Sequence, residues 1–371
     1  MMQSIRREQI LAARWFAQQL ERPAGTGDDC ALLDFGVQDT GPDGAPWALT
    51  IRGMSAAAID GLTVAWTVRG APHYYRRADL GDVAVAVSPY SPLDAAKRIF
   101  DANKKFKDAG VDTLVALREL AHTMRAIVTD TMVKGEMSSR LTTELPEHHL
   151  RDCKPCGAVH PHEQTFRLAA LQAGLELVPN TSPPVLHRVK GLRPNEFRRP
   201  GTDASPRFDL IRNYLRFYGP STAQEVAAFL DAPVKEVKAY WPDDILDVDV
   251  EGQGKSALVD AIDLLTDPPQ PTAVRLAGPY DALLQGRDRE MLVPDIDRRK
   301  AVWPVLGRPG VIFAAAEPVG TWRPAKAGKK LRIKVEPWVR HTTKMQKAIA
   351  AEAERLARFR GVELAGIDTV E

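Results

Sequence analysis

The sequence predicts an α+β protein in which tandem winged helix-turn-helix modules are followed by a small C-terminal β-barrel and a terminal helix. The clearest observation lies in residues 208–260. There, three short amphipathic segments are separated by Gly-Pro and Asp-Ala-Pro breaks, and two β-type runs follow around a glycine turn. Three short helices followed by a two-stranded ribbon are typical of a winged helix. Short β-type runs after Pro271 predict the barrel.

The length of the chain and the breaks in its pattern predict four modules. At 371 residues the chain is too long for a single hydrophobic core. We expect a winged-helix-like module over residues 1–91 and a second one, with a Cys/His cluster, over residues 92–200. A third winged helix is expected over residues 201–268, and the barrel with the terminal helix over residues 269–371.

Helical and β-type patterns alternate through the first two modules. Apolar residues at helical spacing predict helices over residues 5–20, 47–51, 55–62, 92–109, 113–128, 137–145 and 166–173. Alternating or continuous apolar runs predict strands over residues 64–68, 83–87, 175–178 and 184–189. The last two of these strands are expected to form a second wing.

The third module contains the predicted recognition helix. Helices are expected over residues 208–218, 222–230 and 234–241, with a capping box formed by Ser221 and Gln224, and strands over residues 245–250 and 255–259. Helix 234–241 would enter a major groove with Lys235 and Lys238 facing solvent. The alternative is a protein–protein module. Beyond it, strands are predicted over residues 273–276, 311–315, 318–322 and 331–335, and a helix over residues 342–359.

Charge and composition describe an ordinary cytoplasmic protein, which would be associated with the nucleoid if it binds DNA. The net charge of +2 does not demand a polyanionic partner, but residues 318–335 hold six Lys/Arg and no acid. No apolar run approaches the length of a membrane span, and the N-terminus lacks the apolar core of a signal peptide. Three cysteines do not make a disulfide framework in a chain of this size, so we expect reduced thiols.

Five motifs in order carry a resemblance to a known family. They are residues 66–73 (WTVRGAPH), 153–167 with Cys-x-x-Cys and His160, 215–220 (LRFYGP), 279–289 (PYDALLQGRDR) and 319–323 (VGTWR). Together they resemble the AlkZ/YcaQ-type winged-helix DNA-binding proteins over nearly the whole chain. The resemblance implies tandem winged helices with a C-terminal β-barrel. Its characterised members are monofunctional DNA glycosylases acting on bulky or crosslinked N7-alkylated purines.

The resemblance also implies a catalytic triplet, Gln-hydrophobic-Gln or Gln-hydrophobic-Asp, that positions a water molecule. The matching residues are Gly36-Val37-Gln38, followed by Asp39, so Gln38 and Asp39 are the predicted catalytic residues. Gly36 replaces the first polar residue, and losing one of two positioned polar groups commonly costs about a hundredfold in rate. If the triplet were instead residues 38–40, Asp39 would occupy its middle position, where the family has a hydrophobic residue. The second hypothesis is therefore a non-catalytic DNA-binding or regulatory protein, and the third is a protein-interaction scaffold.

The predicted partner is double-stranded DNA, bound by a monomer with little sequence specificity. Arg69 and His73 lie in a segment that the family resemblance implies is a β-ribbon near the duplex; the alternatives are a strand-edge arginine and a packed histidine. Arg287 and Arg289 either contact DNA or join a buried ion network with Asp281 and Asp288. The preferred duplex-facing surface combines residues of two basic segments: Arg198, Arg199, Arg207, Arg323, Lys329 and Lys330.

A Cys/His cluster predicts a structural zinc ion, although catalysis itself is expected to need no cofactor. Cys153 and Cys156 form a Cys-x-x-Cys half-site, and His160 or His162 could complete it. A fourth ligand could be water or one of the nearby pair His148 and His149. The alternative is a reduced thiol pair packed under a loop.

Overall fold

The computed structural model describes residues 2–370, apart from the side chains at positions 326 and 327. It is a mixed α+β structure with several sheets. The helices, in chain order, are α1 (Arg7–Ala17), α2 (Gly44–Thr50), α3 (Ala56–Asp60), α4 (Leu80–Ala86), α5 (Pro92–Arg98), α6 (Asn103–Asp108), α7 (Thr113–Ile127), α8 (Lys134–Glu144), α9 (Glu163–Gln172), α10 (Leu210–Tyr218), α11 (Ala223–Leu230), α12 (Val234–Ala239), α13 (Ile262–Thr266), α14 (Arg289–Leu292), α15 (Ile296–Val302) and α16 (Thr343–Phe359).

The strands form four sheets, of two, three, five and six strands. In chain order they are β1 (Gln3–Ser4), β2 (Val37–Gln38), β3 (Leu62–Trp66), β4 (Pro72–Arg76), β5 (Thr131–Val133), β6 (Leu150–Cys153), β7 (Ala158–Pro161), β8 (Leu175–Leu177), β9 (Val185–Arg188), β10 (Ile245–Val250), β11 (Gln253–Leu258), β12 (Val274–Ala277), β13 (Gly310–Ala314), β14 (Glu317–Ala327), β15 (Lys330–Pro337) and β16 (Leu364–Thr369).

The first half of the chain is organised around one antiparallel sheet with the order β2-β4-β3-β8-β9-β5. Strand β3, from the first module, pairs with β8, from the predicted second wing, and Val64 lies opposite Leu177. This pairing joins the two predicted modules in one sheet. The predicted strand over residues 83–87 is wrong, because residues 83–86 lie in helix α4 and Val87 caps its end. A mostly buried run of alternating Val and Ala fits either structure, and here it packs in one core with Phe208 and Val189. The predicted helix over residues 92–109 is divided into α5 and α6 at Ile99.

The third predicted module has the expected order of elements. Helices α10, α11 and α12 precede the hairpin β10–β11, and β1 adds a parallel third strand that the sequence did not predict. The capping box lies one residue later than expected. Thr222 Oγ1 accepts from the backbone N–H of Glu225, whose carboxylate accepts from the backbone N–H of Thr222 at 2.8 Å. Glu225 therefore replaces Gln224 as the capping partner.

The predicted C-terminal β-barrel is wrong. The sheet has the order β12-β13-β14-β15-β16, and within residues 2–370 its edge strands β12 and β16 do not pair with each other. Strand β16 lies parallel to β15, and α16 forms the crossover between them. The apolar face of α16 packs with Trp15, Trp47 and Trp322 in one core. Because α16 covers the apolar face of the sheet, the sheet does not need to close into a barrel.

Across residues 2–370, none of the helices combines the length and the apolar character that a membrane crossing requires.

Candidate functional site

The predicted catalytic glutamine lies on an edge strand and is held at both ends of its amide. Gln38 is on β2, opposite His73 on β4. Its Nε2 donates to Thr40 Oγ1 at 3.0 Å, and its Oε1 accepts from Arg69 at 3.3 Å. These bonds use one of two N–H groups and one of two oxygen lone pairs. One donor and one acceptor of the half-buried Gln38 amide therefore remain for a water molecule.

The carboxylate of Asp39 faces a different neighbour. Asp39 Oδ1 accepts from the backbone N–H of Ala45 at 3.0 Å, at the start of α2. Burial raises the pKa of Asp39, and the Ala45 hydrogen bond opposes that rise. Successive side chains of an extended segment point to opposite faces. The structure thus brings Gln38 together with Thr40, while Asp39 fixes the segment to α2.

The space beside Gly36 is occupied by a tyrosine. Gly36 has φ +91°, and a Cβ atom there would lie 2.4 Å from the hydroxyl oxygen of Tyr75. The buried Tyr75 hydroxyl is 2.9 Å from Thr67 Oγ1. A polar side chain at position 36 would therefore be strained in its backbone and would overlap the Tyr75 ring.

Arg69 connects strand β2 to the third predicted module. Its guanidinium donates to Phe229 O at 2.7 Å and lies 4.4 Å from the centre of the Phe229 ring. Burial, reinforced by the nearby Arg287, lowers the pKa of Arg69 to about 10. The guanidinium stays charged at neutral pH, and it orients Gln38 instead of lying free on the surface.

His73 is a packed neutral histidine. It is 4% exposed, and its Nδ1 lies 2.9 Å from both Ala71 O and Thr67 Oγ1. Burial, together with the charge of Arg69, lowers the pKa of His73 to about 3. This geometry agrees with the packed-histidine alternative, since a neutral buried ring cannot act as a cation in a groove.

We expect the protein to lose stability in mild acid because of His73. In the unfolded chain the imidazole titrates near pH 6.5, so its contribution is present above pH 6.5 and is lost as the pH falls toward 3. At pH 5 the loss is about 2 kcal/mol. Urea unfolding at pH 7 and pH 5 measures it. His73→Gln should flatten the pH dependence, although His149, whose pKa burial also lowers, leaves part of it. The control His187→Gln should keep the full pH dependence of stability. If His73→Gln keeps it as well, this account is wrong.

The charged motif over residues 279–289 divides into two groups. Its acids are buried in ion pairs: Asp281 with Arg52 at 2.8 Å, both 0% exposed, and Asp288 with Arg14 at 2.5 Å. Its arginines stay apart from them. An ion network therefore joins the C-terminal unit to the N-terminal one, but its partners are Arg14 and Arg52, which the sequence did not suggest.

The remaining arginines form a cluster, here called the arginine cluster, that comprises Arg287, Arg289 and Arg308. Arg289 lies 5.0 Å from the Trp303 ring, and Arg308 lies 4.9 Å from the Tyr280 ring. Burial and the charges of the other two arginines lower the pKa of Arg289. Within residues 2–370 none of the three has an ion-pair partner. Arg287 and Arg289 line an open cavity of about 950 Å³, whose lining also includes Glu225, Glu251, Asp288 and Glu290. Arginines without an ion-pair partner can bind phosphate, although these carboxylates reduce the positive charge of the cavity.

The acidic loop over residues 28–43 is largely neutralised by internal contacts. Asp34 pairs with Arg76 at 2.7 Å and with Arg207 at 3.0 Å. Asp29 pairs with Arg22, and Asp43 pairs with Arg360. The loop therefore presents less negative charge than its sequence suggests.

The other predicted DNA contacts lie at the surface in different settings. Lys235, Lys238, Arg323 and Lys329 are exposed. Three others already have acidic neighbours: Arg198 with Glu196, Arg199 with Asp203 and Lys330 with Glu363. The first group is better placed to meet phosphates, because no carboxylate must be displaced.

The hairpin β6–β7 brings together three of the four predicted metal ligands. One ligand atom from each of Cys153, Cys156 and His160 lies within 4.8 Å of the others. His162 is buried near Asp101, 3.7 Å away, and is not part of this group. His148 and His149 instead cluster with Glu119.

Sequence reasoning missed three residues of the site. Thr40 was weighed only as part of a shifted frame, and its position two residues after Gln38 on an extended segment could have indicated a shared face. Arg308 lies outside every motif, and only the fold brings it to Arg287 and Arg289. Tyr75 could not be linked to Gly36 without the structure.

Comparison with known proteins agrees with this architecture. The family model described as DNA glycosylase AlkZ-like matches residues 55–359. Among solved structures, the DNA glycosylase AlkZ of Streptomyces sahachiroi is similar. Its TM-score is 0.71 at 20% sequence identity, over 100% of this chain and 100% of that chain. At that identity the likeness shows the fold. No curated protein matches the sequence.

Proposed function

The chain belongs to the AlkZ-like family of DNA glycosylases, and from that premise we propose that it binds double-stranded DNA and excises bulky or crosslinked N7-alkylated purines. The observation that supports this most is the Gln38 amide. It is held by Arg69 and Thr40, it keeps one donor and one acceptor free, and its Arg69 partner lies near Arg287 of the arginine cluster.

In the proposed reaction, Gln38 orients a water molecule toward C1′ of the damaged nucleotide. An N7-alkylated purine is already cationic, so it leaves as a neutral base without an acid catalyst. The C1′–N9 bond breaks, the water oxygen bonds to C1′ and the water gives up a proton to solvent. Asp39 acts as a positioning residue that fixes the strand to α2. The reaction needs no cofactor.

The proposed DNA-binding scaffold is a set of tandem winged helices. In the third module, α12 would be the recognition helix, with Lys235 and Lys238 facing the duplex. The arginine cluster and the exposed residues Arg323 and Lys329 would contact phosphates. Because phosphate contacts carry no sequence information, we propose that binding has little sequence specificity. We also propose that the protein acts as a monomer at the chromosome.

A second candidate function rests on Gly36. The first polar residue of the family triplet is missing, and Tyr75 occupies its space. A DNA-binding protein without glycosylase activity would keep the arginines and lose the reaction.

The test is single-turnover base release from duplexes that carry N7-methylguanine or a bulky N7-alkylguanine, with a uracil duplex as the control substrate. Free alkylated base and an abasic site would support the glycosylase. Tight binding to the same duplexes without release would replace it with the second candidate. Absence of both binding and release would overturn both.

Removing charges from the arginine cluster should lower the salt dependence of binding. A phosphate contact contributes about 0.9 to the slope of log affinity against log salt. Arg287→Ser and Arg289→Ser together should therefore reduce the slope by about 1.8. Fluorescence anisotropy with a labelled duplex over a salt series measures the change. Lys104→Ser removes an exposed charge on α6 and should leave the slope as it is. An unchanged slope in the arginine double variant would exclude the cluster from the interface.

A further inference from the structure

The turn of the hairpin β6–β7 projects away from the apolar contacts that hold the base of the hairpin. The hairpin is a separate two-stranded sheet in which Cys153 lies opposite Ala158. Residues 154–159 are all exposed, so the turn buries little apolar surface, whereas the base of the hairpin packs on the main core through Leu150. Two-stranded hairpins have little stability of their own in water. The exposed turn would therefore gain from another source of stability.

The backbone of the turn brings the two thiols together. The backbone N–H of Cys156 donates to Cys153 O at 3.1 Å, and the backbone N–H of Gly157 donates to the same oxygen at 2.9 Å. Gly157 has φ +61°, which glycine adopts readily. A Cys-x-x-Cys-Gly turn of this kind is a recurring half-site for tetrahedral zinc.

His160 is oriented to supply a third ligand. It lies on β7, and its Nδ1 is 2.8 Å from Pro161 O. A proton on Nδ1, donated to that carbonyl, leaves the lone pair on Nε2. Metal-binding histidines commonly use this arrangement, because the second hydrogen bond fixes the ring and its tautomer.

We propose that Cys153, Cys156 and His160 bind one Zn²⁺ ion, with water as the fourth ligand, and that the ion stabilises the hairpin. With Zn–S bonds of about 2.3 Å and Zn–N bonds of about 2.0 Å, tetrahedral ligand atoms lie roughly 3.5–3.8 Å apart. The three ligand atoms lie within 4.8 Å of one another, so small side-chain rotations suffice.

The ligand types also fit this assignment, because cysteine sulfur and histidine nitrogen are the donors that Zn²⁺ takes in structural sites. The role is independent of base excision, because the hairpin supplies no residue of the proposed reaction.

The experiment measures bound metal in the full chain. The protein is purified under reducing conditions, stripped with a chelator and reloaded with Zn²⁺ alone. Elemental analysis should then find about one zinc ion per chain. Cys153→Ser and Cys156→Ser should lose it, and His160→Gln should bind it more weakly. The control His187→Gln, altered at a histidine outside the hairpin, should retain it. In the Co²⁺-loaded protein, a thiolate-to-cobalt charge-transfer band should be present and should disappear in the cysteine variants.

Circular dichroism confirms that each variant is folded before the metal is counted. Absence of zinc from the folded, reduced and reloaded protein would overturn the proposal. So would full zinc retention in the Cys153→Ser, Cys156→Ser double variant. Thiol counting of the protein purified without reductant covers the remaining case. A disulfide between Cys153 and Cys156 in that sample, together with no zinc binding by the reduced and reloaded sample, would replace the metal site with a redox pair.

Discussion

Gln38→Ala is expected to lower single-turnover release of an N7-alkylated base about a hundredfold or more, with duplex affinity unchanged. The amide would hold the attacking water only as the glycosidic bond breaks, so its loss should affect the chemical step and spare binding. The loss should be large, because Gly36 supplies no second amide that could share the work. Quenched-flow or manual time courses with enzyme in excess measure the rate, and anisotropy measures binding.

Two neighbouring substitutions serve as graded controls for Gln38. Thr40→Val removes the hydroxyl that accepts from the Gln38 amide but keeps the shape, so it should reduce release by up to about tenfold. Asp39→Asn keeps an oxygen for the Ala45 hydrogen bond and should change release least. A Gln38→Ala protein that releases base as fast as the wild type would show that the water is held elsewhere.

Asp281→Ala is expected to destabilise the protein by about 3–5 kcal/mol, since it leaves the Arg52 guanidinium charged, buried and without its carboxylate. Both side chains are 0% exposed, so water cannot replace the lost partner. Arg52 also donates to Gln18 O and Ala48 O, which hold it in place and prevent it from turning outward. Urea unfolding, followed by circular dichroism, measures the change.

The matched control for Asp281 is Asp108→Ala. Asp108 pairs with Lys104 on α6, where both side chains are largely exposed, 60% and 88%. Exposed pairs contribute little, so the unfolding midpoint should stay close to that of the wild type. Similar midpoints for both variants would mean that Arg52 is solvated in the Asp281→Ala protein.

Local patterns predicted the local elements of this fold well and its long-range pairings poorly. The helices and hairpin of the third module were predictable, because Gly-Pro and Asp-Ala-Pro breaks and alternating residues act over a few positions. Strand β1 is two residues long and forms only because β10 offers an edge. Strand β16 and the open C-terminal sheet depend on the crossover through α16. No local pattern contains that information.

The site shows the same division. A family motif predicted Gln38 as a catalytic residue, and composition predicted the cysteines with His160 as metal ligands. The separation of Asp281 and Asp288 from Arg287 and Arg289 could not be predicted, because their partners Arg52 and Arg14 are more than 200 residues away in sequence. The role of Asp39 also depended on the structure, since only the start of α2 shows where its carboxylate points.

Gly36 and Tyr75 constrain each other's substitution. A glutamine at position 36 would overlap the Tyr75 ring, so it would require a smaller residue at position 75. That replacement would leave the Thr67 hydroxyl without its tyrosine partner and would open a cavity beside strand β2. The φ of +91° at position 36 would still strain a glutamine after that step, so a second amide requires a change of the local backbone as well as a smaller residue at position 75. The two positions are therefore coupled, and neither substitution alone supplies the missing polar group.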